Sequence, residues 1–345
     1  MNLQSTPSSN EEKLLDQMTT PRDVLVEAMA QLRSPLLILG AGGKMGPSLA
    51  VLARRAAQEA KRKLDVIAVS RFNDASAAHW LEQHGVQTIS VDLLERGSYS
   101  RLPDAAEVVY LVGMKFGTSK DPSATWAANT VIPALAAERY PHARWSILST
   151  GNVYPLVEVA SGGAKEDAPL TPLGEYPNAA VARERVFGFF SQRQQTPMTV
   201  LRLSYAIDLR YGVLVDLALK IWNREPIDLT TGFFNCIWQG DANEVVIRAL
   251  TEASTPPLTL NLTGIGPIAV RTAALKLSER LGRQPTFVGQ ESPTALLSDT
   301  AMLQRRFGPP ATSFDLMVEW VADWVKSGGR TYNRPTHFEV RDGSY

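Results

Sequence analysis

Pro35-Leu36-Leu37-Ile38-Leu39-Gly40-Ala41-Gly42-Gly43-Lys44-Met45-Gly46 runs a short apolar segment straight into a glycine-rich turn, and a helical pattern opens at Ser48. A buried strand, a tight turn and a helix in that order bring free backbone N–H groups and the positive end of a helix dipole to one place. Gly40 permits the turn, Gly43 lets the backbone approach a bound phosphate, and Gly46 lets the helix pack closely on the strand. Lys44 and Met45 carry N–H groups of the same cradle. This layout predicts a dinucleotide site and, with it, an α/β fold of the Rossmann type: a doubly wound parallel sheet.

On both sides of the turn, apolar runs alternate with helical patterns. Strands are expected over 35–39, 65–69, 86–91, 107–112, 145–149 and 198–203, with helices near 48–61, 74–84 and 178–193. After residue 203 the alternation becomes irregular. A helix near 214–223, a strand-like run over 236–239, a helix over 242–252, a strand-like run over 258–262 and two more helices read as a smaller lobe interleaved with late core strands near 236–240 and 258–262. The last helix sets Leu316, Met317, Trp320, Val321, Trp324 and Val325 on one face, the spacing for packing on a core. The expected organisation is a lead-in with an amphipathic helix (1–33), a dinucleotide-binding core (34–205), a mainly substrate-binding lobe (206–328) and a tail without periodicity (329–345).

Composition narrows the class. Of 345 residues, 44% are apolar and 20% charged, as in an ordinary globular protein. Thirty-five basic and 35 acidic side chains cancel, so no overall field favours nucleic acid or an anionic membrane. No apolar run reaches the ~18 residues of a membrane span, and residues 1–16 lack the pattern of a secretory signal. The single cysteine, Cys236, sits in an apolar run and reads as a buried, inert thiol in a reducing compartment. Cytoplasm is the expected location. His79, His84, His142 and His337 are scattered without metal-ligand spacing, so no metal is expected. No Gly-x-Ser-x-Gly elbow supports a hydrolase.

The end of the second strand selects between cofactors. An acid there suits the ribose hydroxyls of NAD, whereas an arginine suits the 2′-phosphate of NADP. The chain reads Val69-Ser70-Arg71. Ser70 and Arg71 therefore favour NADP, with NAD as the alternative. Asp92 and Leu93, after the third strand, are placed to hold the adenine.

These residues resemble the extended short-chain dehydrogenase/reductases, the group of NAD(P)-dependent sugar epimerases and dehydratases, over about 35–325. The glycine spacing is theirs. Ser149-Thr150-Gly151-Asn152-Val153-Tyr154 is similar to their Ser-Ser/Thr-x-x-Val-Tyr segment. Asp241-Ala242 and Asn261-Leu262-Thr263-Gly264 are looser counterparts of two later family segments. The resemblance implies that Thr150 holds the substrate oxygen and that Tyr176, two dozen residues on, exchanges a proton with it. Asn152, Tyr205 and Arg210 would face the substrate, and a homodimer is common in such proteins.

One departure bears on chemistry. The family's Tyr-x-x-x-Lys lysine is Ala180, yet a phenol of reference pKa ~10 exchanges protons near neutrality only beside positive charge. Lys115, after the fourth strand, is the preferred substitute; Arg183, on the face of Tyr176, is the other. The acidic pair of the dehydratases is replaced by Gly151-Asn152, which argues against sugar-nucleotide dehydration. A narrower subgroup of NAD(P)-dependent oxidoreductases shares segments such as Asp208–Asp216 and Thr336–Gly343, and likewise lacks the lysine. The expected activity is that of an NADP-dependent oxidoreductase or epimerase acting on a secondary alcohol or ketone of a sugar, sugar acid or related small molecule. A catalytically silent dinucleotide sensor is the second reading.

Overall fold

A computed structural model describes residues 11–113 and 121–343. Seven strands, β1 (Leu36–Leu39), β2 (Val66–Ser70), β3 (Gln87–Ser90), β4 (Glu107–Tyr110), β5 (Arg144–Thr150), β6 (Met198–Leu203) and β7 (Leu258–Leu262), form one sheet in the order β7-β6-β5-β4-β1-β2-β3. Every pairing in it is parallel. The helices are α1 (Glu11–Thr19), α2 (Asp23–Ala28), α3 (Gly46–Glu59), α4 (Ala75–Gln83), α5 (Pro122–Arg139), α6 (Glu175–Gln194), α7 (Val213–Asn223), α8 (Gln239–Arg248), α9 (Val270–Leu281), α10 (Ala301–Phe307) and α11 (Phe314–Lys326).

The central strands β1, β2 and β4 read as nearly continuous apolar runs because both faces are covered there. Leu36, Ile38, Ala68 and Leu260 pack with α3 and α8, while Leu37, Leu39, Val108, Tyr110 and Ile147 pack with α5 and Phe187 of α6. Strand order reverses between β1 and β4, where Leu39 pairs with Tyr110. A crevice at the carboxyl ends of the strands is the consequence.

Three features differ from the sequence expectations. Helix α5 has no clear apolar stripe and carries Pro133 in its interior, so its periodicity is weak in sequence; Asp121 caps it through Ala124 N at 2.9 Å. Only one late strand joins the core sheet, as its edge β7. Ile237–Trp238 instead pairs with Ala206–Ile207 outside the seven strands. The polar-looking segment before Pro21 contains α1, whose Leu14 and Met18 are fully buried. They enter a second core built by α7, α9 and α11 around Trp238, Trp320 and Trp324.

The tail also packs. Phe338 is buried in that second core, Thr336 donates from N and Oγ1 to Asp216 at 2.8 and 2.6 Å, and Lys220 pairs with Glu339. Its end reaches Gly174: a Cβ on either Gly174 or Gly343 would lie 2.2 Å from a backbone oxygen of the other segment.

Candidate active site

The glycine turn is shaped by backbone proximity. Gly40 adopts φ +85°, and a Cβ there would lie 2.8 Å from Val112 N beyond β4. At Gly46 a Cβ would lie 2.2 Å from the Ala41 carbonyl oxygen, so α3 can start this close to the strand only with glycine. Gly42, which sequence reasoning passed over, is crowded by a side chain rather than by backbone: a Cβ there would lie 2.6 Å from Ser70 Oγ, so Ser70 would have to shift. Gly43 is different. A Cβ on it meets only the Gly40 oxygen, at 3.5 Å, so its bare backbone borders the crevice.

Ser70 and Arg71 close the end of β2. The Arg71 guanidinium is largely exposed and lies 3.9 Å from Asp92, whose other oxygen accepts from Leu94 N at 2.9 Å. Arg71 and Asp92 are thus brought together, whereas the Leu93 and Met45 side chains turn into the apolar layers.

Thr150 ends β5. Its Oγ1 accepts from Asn152 N at 3.2 Å and donates to Asn152 Oδ1 at 3.1 Å, which shapes the short turn Gly151–Val153. Helix α6 packs against that turn, with Ala180 in the cluster of Val153 and Tyr154, and Tyr176, buried at 8% exposure, lies about one turn earlier on the same helix. Ala180 is enclosed with Val153, Tyr154 and Ala164. Lys115 lies outside the described residues. Arg183 is buried and donates from one terminal nitrogen to Val112 O and Asn129 Oδ1 at 3.0 and 3.1 Å.

Lys44 leaves the glycine turn and spans to the far side of the crevice. Its Nζ donates to Ala206 O at 2.8 Å and stands 4.4 Å over the Tyr211 ring. The Tyr211 phenol is pushed up by burial first, then by the charges of Asp216 and Tyr176, with Arg334 opposing. Tyr211 and Tyr176 are therefore electrostatic neighbours. Nothing in the local sequence of either marks this convergence, since it depends on the turn after β6.

The two remaining expected substrate contacts each engage other parts of the chain. Tyr205, at φ +44°, packs on the second core. Arg210 donates to both Asp208 oxygens at 3.0 and 2.7 Å and to Glu11 at 2.7 Å.

Beneath the site runs a buried polar network. Arg202 engages both oxygens of Glu184, at 2.8 Å in the closest contact, and donates to the Tyr154 hydroxyl at 2.6 Å. That hydroxyl donates to Asn261 at 2.8 Å, and Ser149 donates to Glu184. Burial pushes the Tyr154 phenol up to about 12 against the opposing pull of Arg202. Among the described residues no group of three or more His, Cys, Asp or Glu could hold a metal, and no helix is long and apolar enough to cross a membrane.

Sheet order and packing together define a doubly wound α/β protein with a second apolar core beside the sheet's own. No protein-family model and no curated protein matches the chain, but solved structures do. A UDP-glucuronic acid 4-epimerase from Bacillus cereus, solved with a fluorinated UDP-glucuronic acid and NAD, aligns at a TM-score of 0.71 and 17% identity, over 85% of this chain and 99% of that one. A dTDP-glucose 4,6-dehydratase from Bacillus anthracis, in complex with NAD, aligns at 0.71 and 13%, over 86% and 97%. A UDP-Glc/GlcNAc 4-epimerase from Campylobacter jejuni aligns at 0.68 and 17%, over 86% and 100%. The fold is that of the extended short-chain dehydrogenase/reductase structures, as the sequence resemblance implied.

Proposed function

We propose that the protein is an NADP-dependent oxidoreductase or epimerase acting on a secondary alcohol or ketone of a polyhydroxylated small molecule. The observation that carries this reading is the cradle at the strand-order reversal. Gly40 and Gly46 admit no side chain, Gly43 has open space beside it, Thr150 ends β5, and Tyr176 lies in the first turn of α6, the helix packed on the turn after Thr150. The names of the structural neighbours, several solved with NAD, support the class.

The residues fit a dinucleotide. The N–H groups of residues 43–46 and the α3 N-terminus would hold its phosphates, and Arg71 would take a 2′-phosphate. Bound there, a nicotinamide supplies the hydride donor or acceptor. Thr150 orients the substrate oxygen by hydrogen bonding, and the Tyr176 hydroxyl exchanges a proton with it. Ala180 contributes no charge. Lys44 stands over the Tyr211 ring and is one candidate for the missing charge; Lys115, after β4 in sequence, is another.

The test is titration with NADP and NAD, followed by turnover on a panel of sugars and sugar acids with the preferred cofactor. Tyr176→Phe should abolish hydride transfer and leave cofactor affinity within twofold. Lys44→Met and Lys115→Met should each be profiled against pH, and the one that supplies the charge should move the basic limb upward. Tight cofactor binding with no hydride exchange on any substrate would favour the silent-sensor reading.

A further inference from the structure

The tail ends between the two segments that carry the proposed substrate contacts. Arg341 donates to Thr294 O at 2.8 Å, to Thr294 Oγ1 at 2.7 Å and to Ser292 Oγ at 3.0 Å. Thr294–Ala295 in turn pairs antiparallel with Val157–Glu158, the stretch that follows the Thr150–Tyr154 turn. Two residues beyond Arg341, Gly343 lies against Leu173 and Gly174 at the start of α6. We propose that Arg341 and Gly343 form a clasp that sets the first turn of α6, and Tyr176 within it, against the Thr150 segment. The clasp rests on the reading above for the role of Tyr176, but its contacts can be tested without turnover.

Backbone geometry argues first. A Cβ on Gly343 would lie 2.2 Å from Leu173 O and 2.9 Å from Gly174 N, and one on Gly174 would lie 2.2 Å from Gly343 O. Ordinary contact begins at 3.4 Å, so either methyl would drive the two main-chain segments apart by about 1 Å. Both positions also have positive φ, +81° at Gly343 and +89° at Gly174, so glycine is called for twice over at each. The start of the helix argues second. Gly174, the N-cap residue of α6, offers no side-chain cap. The first turn is held instead from outside and from below: Trp126 of α5 donates to Glu175 at 2.6 Å, and Asn178 Nδ2 donates to Gly174 O at 2.8 Å. The tail is a third hold on the same turn. Anchoring argues third. Thr336 is bonded to Asp216 and Phe338 is buried in the second core, so residues 336–343 tie that core, the Thr294 ladder and α6 together. Thr150 and Tyr176 have to act on one substrate oxygen, and a 1 Å misplacement of such a pair costs about 10²-fold in rate.

Amide hydrogen exchange on the full chain, followed over 174–182 and 184–194 of α6, reads the clasp directly. Gly343→Ala and Arg341→Met should each speed exchange over 174–182 at least tenfold and leave 184–194 within twofold. Gly328→Ala is the control, since Gly328 has φ +72° but nothing within 4 Å of its Cβ position; it should leave both stretches unchanged. On a substrate that is turned over, the two clasp variants should lose at least tenfold in kcat while KM and NADP affinity stay within twofold, a split that general loosening of the fold would not produce. The proposal is overturned if either variant leaves 174–182 unaffected, if exchange rises equally throughout α6, or if kcat holds despite faster exchange. Faster exchange confined to 174–182 in a protein that transfers no hydride on any substrate would uphold the clasp and refute the proposed reaction.

Discussion

Replacing Arg71 by alanine isolates the cofactor preference. Arg71 ends β2 with its guanidinium 64% exposed and 3.9 Å from Asp92. An exposed pair that long is worth at most about 1 kcal/mol, so detaching the guanidinium costs little. A hydrogen bond from it to a 2′-phosphate is worth about 1.5–3 kcal/mol. The difference leaves about 0.5–2 kcal/mol in favour of NADP, or about 2–30-fold in affinity. Fluorescence titration of NADPH and NADH against wild type, Arg71→Ala and Asp92→Asn measures it. Arg71→Ala should weaken NADPH by that factor and leave NADH within twofold. Asp92→Asn should tighten NADPH, because it frees the guanidinium and removes a negative charge beside the phosphate. The reasoning is refuted if Arg71→Ala weakens both nucleotides equally, or if Asp92→Asn selectively weakens NADH, which would make Asp92 the ribose ligand.

Other perturbations reach the scaffold. Glu184→Ala strands the buried Arg202 guanidinium, whose side chain is 6% exposed, and should cost about 3–5 kcal/mol in urea denaturation; a loss below about 1 kcal/mol would mean the network relaxes around the gap. Gly43→Ala has room for its Cβ and should keep the melting temperature while losing at least tenfold in dinucleotide affinity, whereas Gly46→Ala should lower both, because its Cβ meets backbone. Asp216 has its carboxyl pushed up by burial, against the hydrogen bonds of Thr336. The folded state therefore holds that proton at pH values where the unfolded chain has released it. Asp216 thus favours folding most at low pH, and that contribution falls as pH rises from the ordinary carboxylate value of 3.8 through the raised folded one. Asp216→Asn keeps an acceptor for Thr336 and should flatten that part of the stability–pH curve; an unchanged slope would assign the pH dependence elsewhere.

The parts of this fold that are legible in sequence are those set by local patterns. Leu36–Leu39 is apolar throughout because both faces of the sheet are covered there, and Gly40 and Gly46 are glycine because backbone lies where a Cβ would go. Contacts between distant segments leave no such mark. Gly42 is constrained by Ser70, a residue 28 positions on, and Lys44 meets Ala206 across 162 positions. Arg210 reads as an available guanidinium in sequence, yet Asp208 two residues earlier and Glu11 at the other end of the chain occupy its donors. The tail shows no periodicity because it forms neither helix nor strand and is held by Thr336, Phe338 and Glu339 rather than by a repeating face.

Ala180 follows the same logic. In a chain with the usual lysine, position 180 would need space for four methylenes and a route for the ammonium toward Tyr176. Here the position is completely buried, and its neighbours Val153 and Tyr154 cannot move independently. The Tyr154 hydroxyl is held between Arg202 and Asn261, and Arg202 is held by Glu184 on α6 itself. The cluster is therefore tied to the same helix that presents Tyr176, and alanine is the residue that lets α6 lie against the turn after Thr150. In the proposed reaction, positive charge for the phenol would come from Arg183 farther along the helix or from a lysine across the crevice. Lys44 starts from the glycine turn and ends over Tyr211, so the segment proposed to cradle the cofactor also delivers a cation toward the proposed proton-transfer group. Cofactor binding and proton transfer would then be coupled through one side chain, a coupling that a lysine at position 180 would not create.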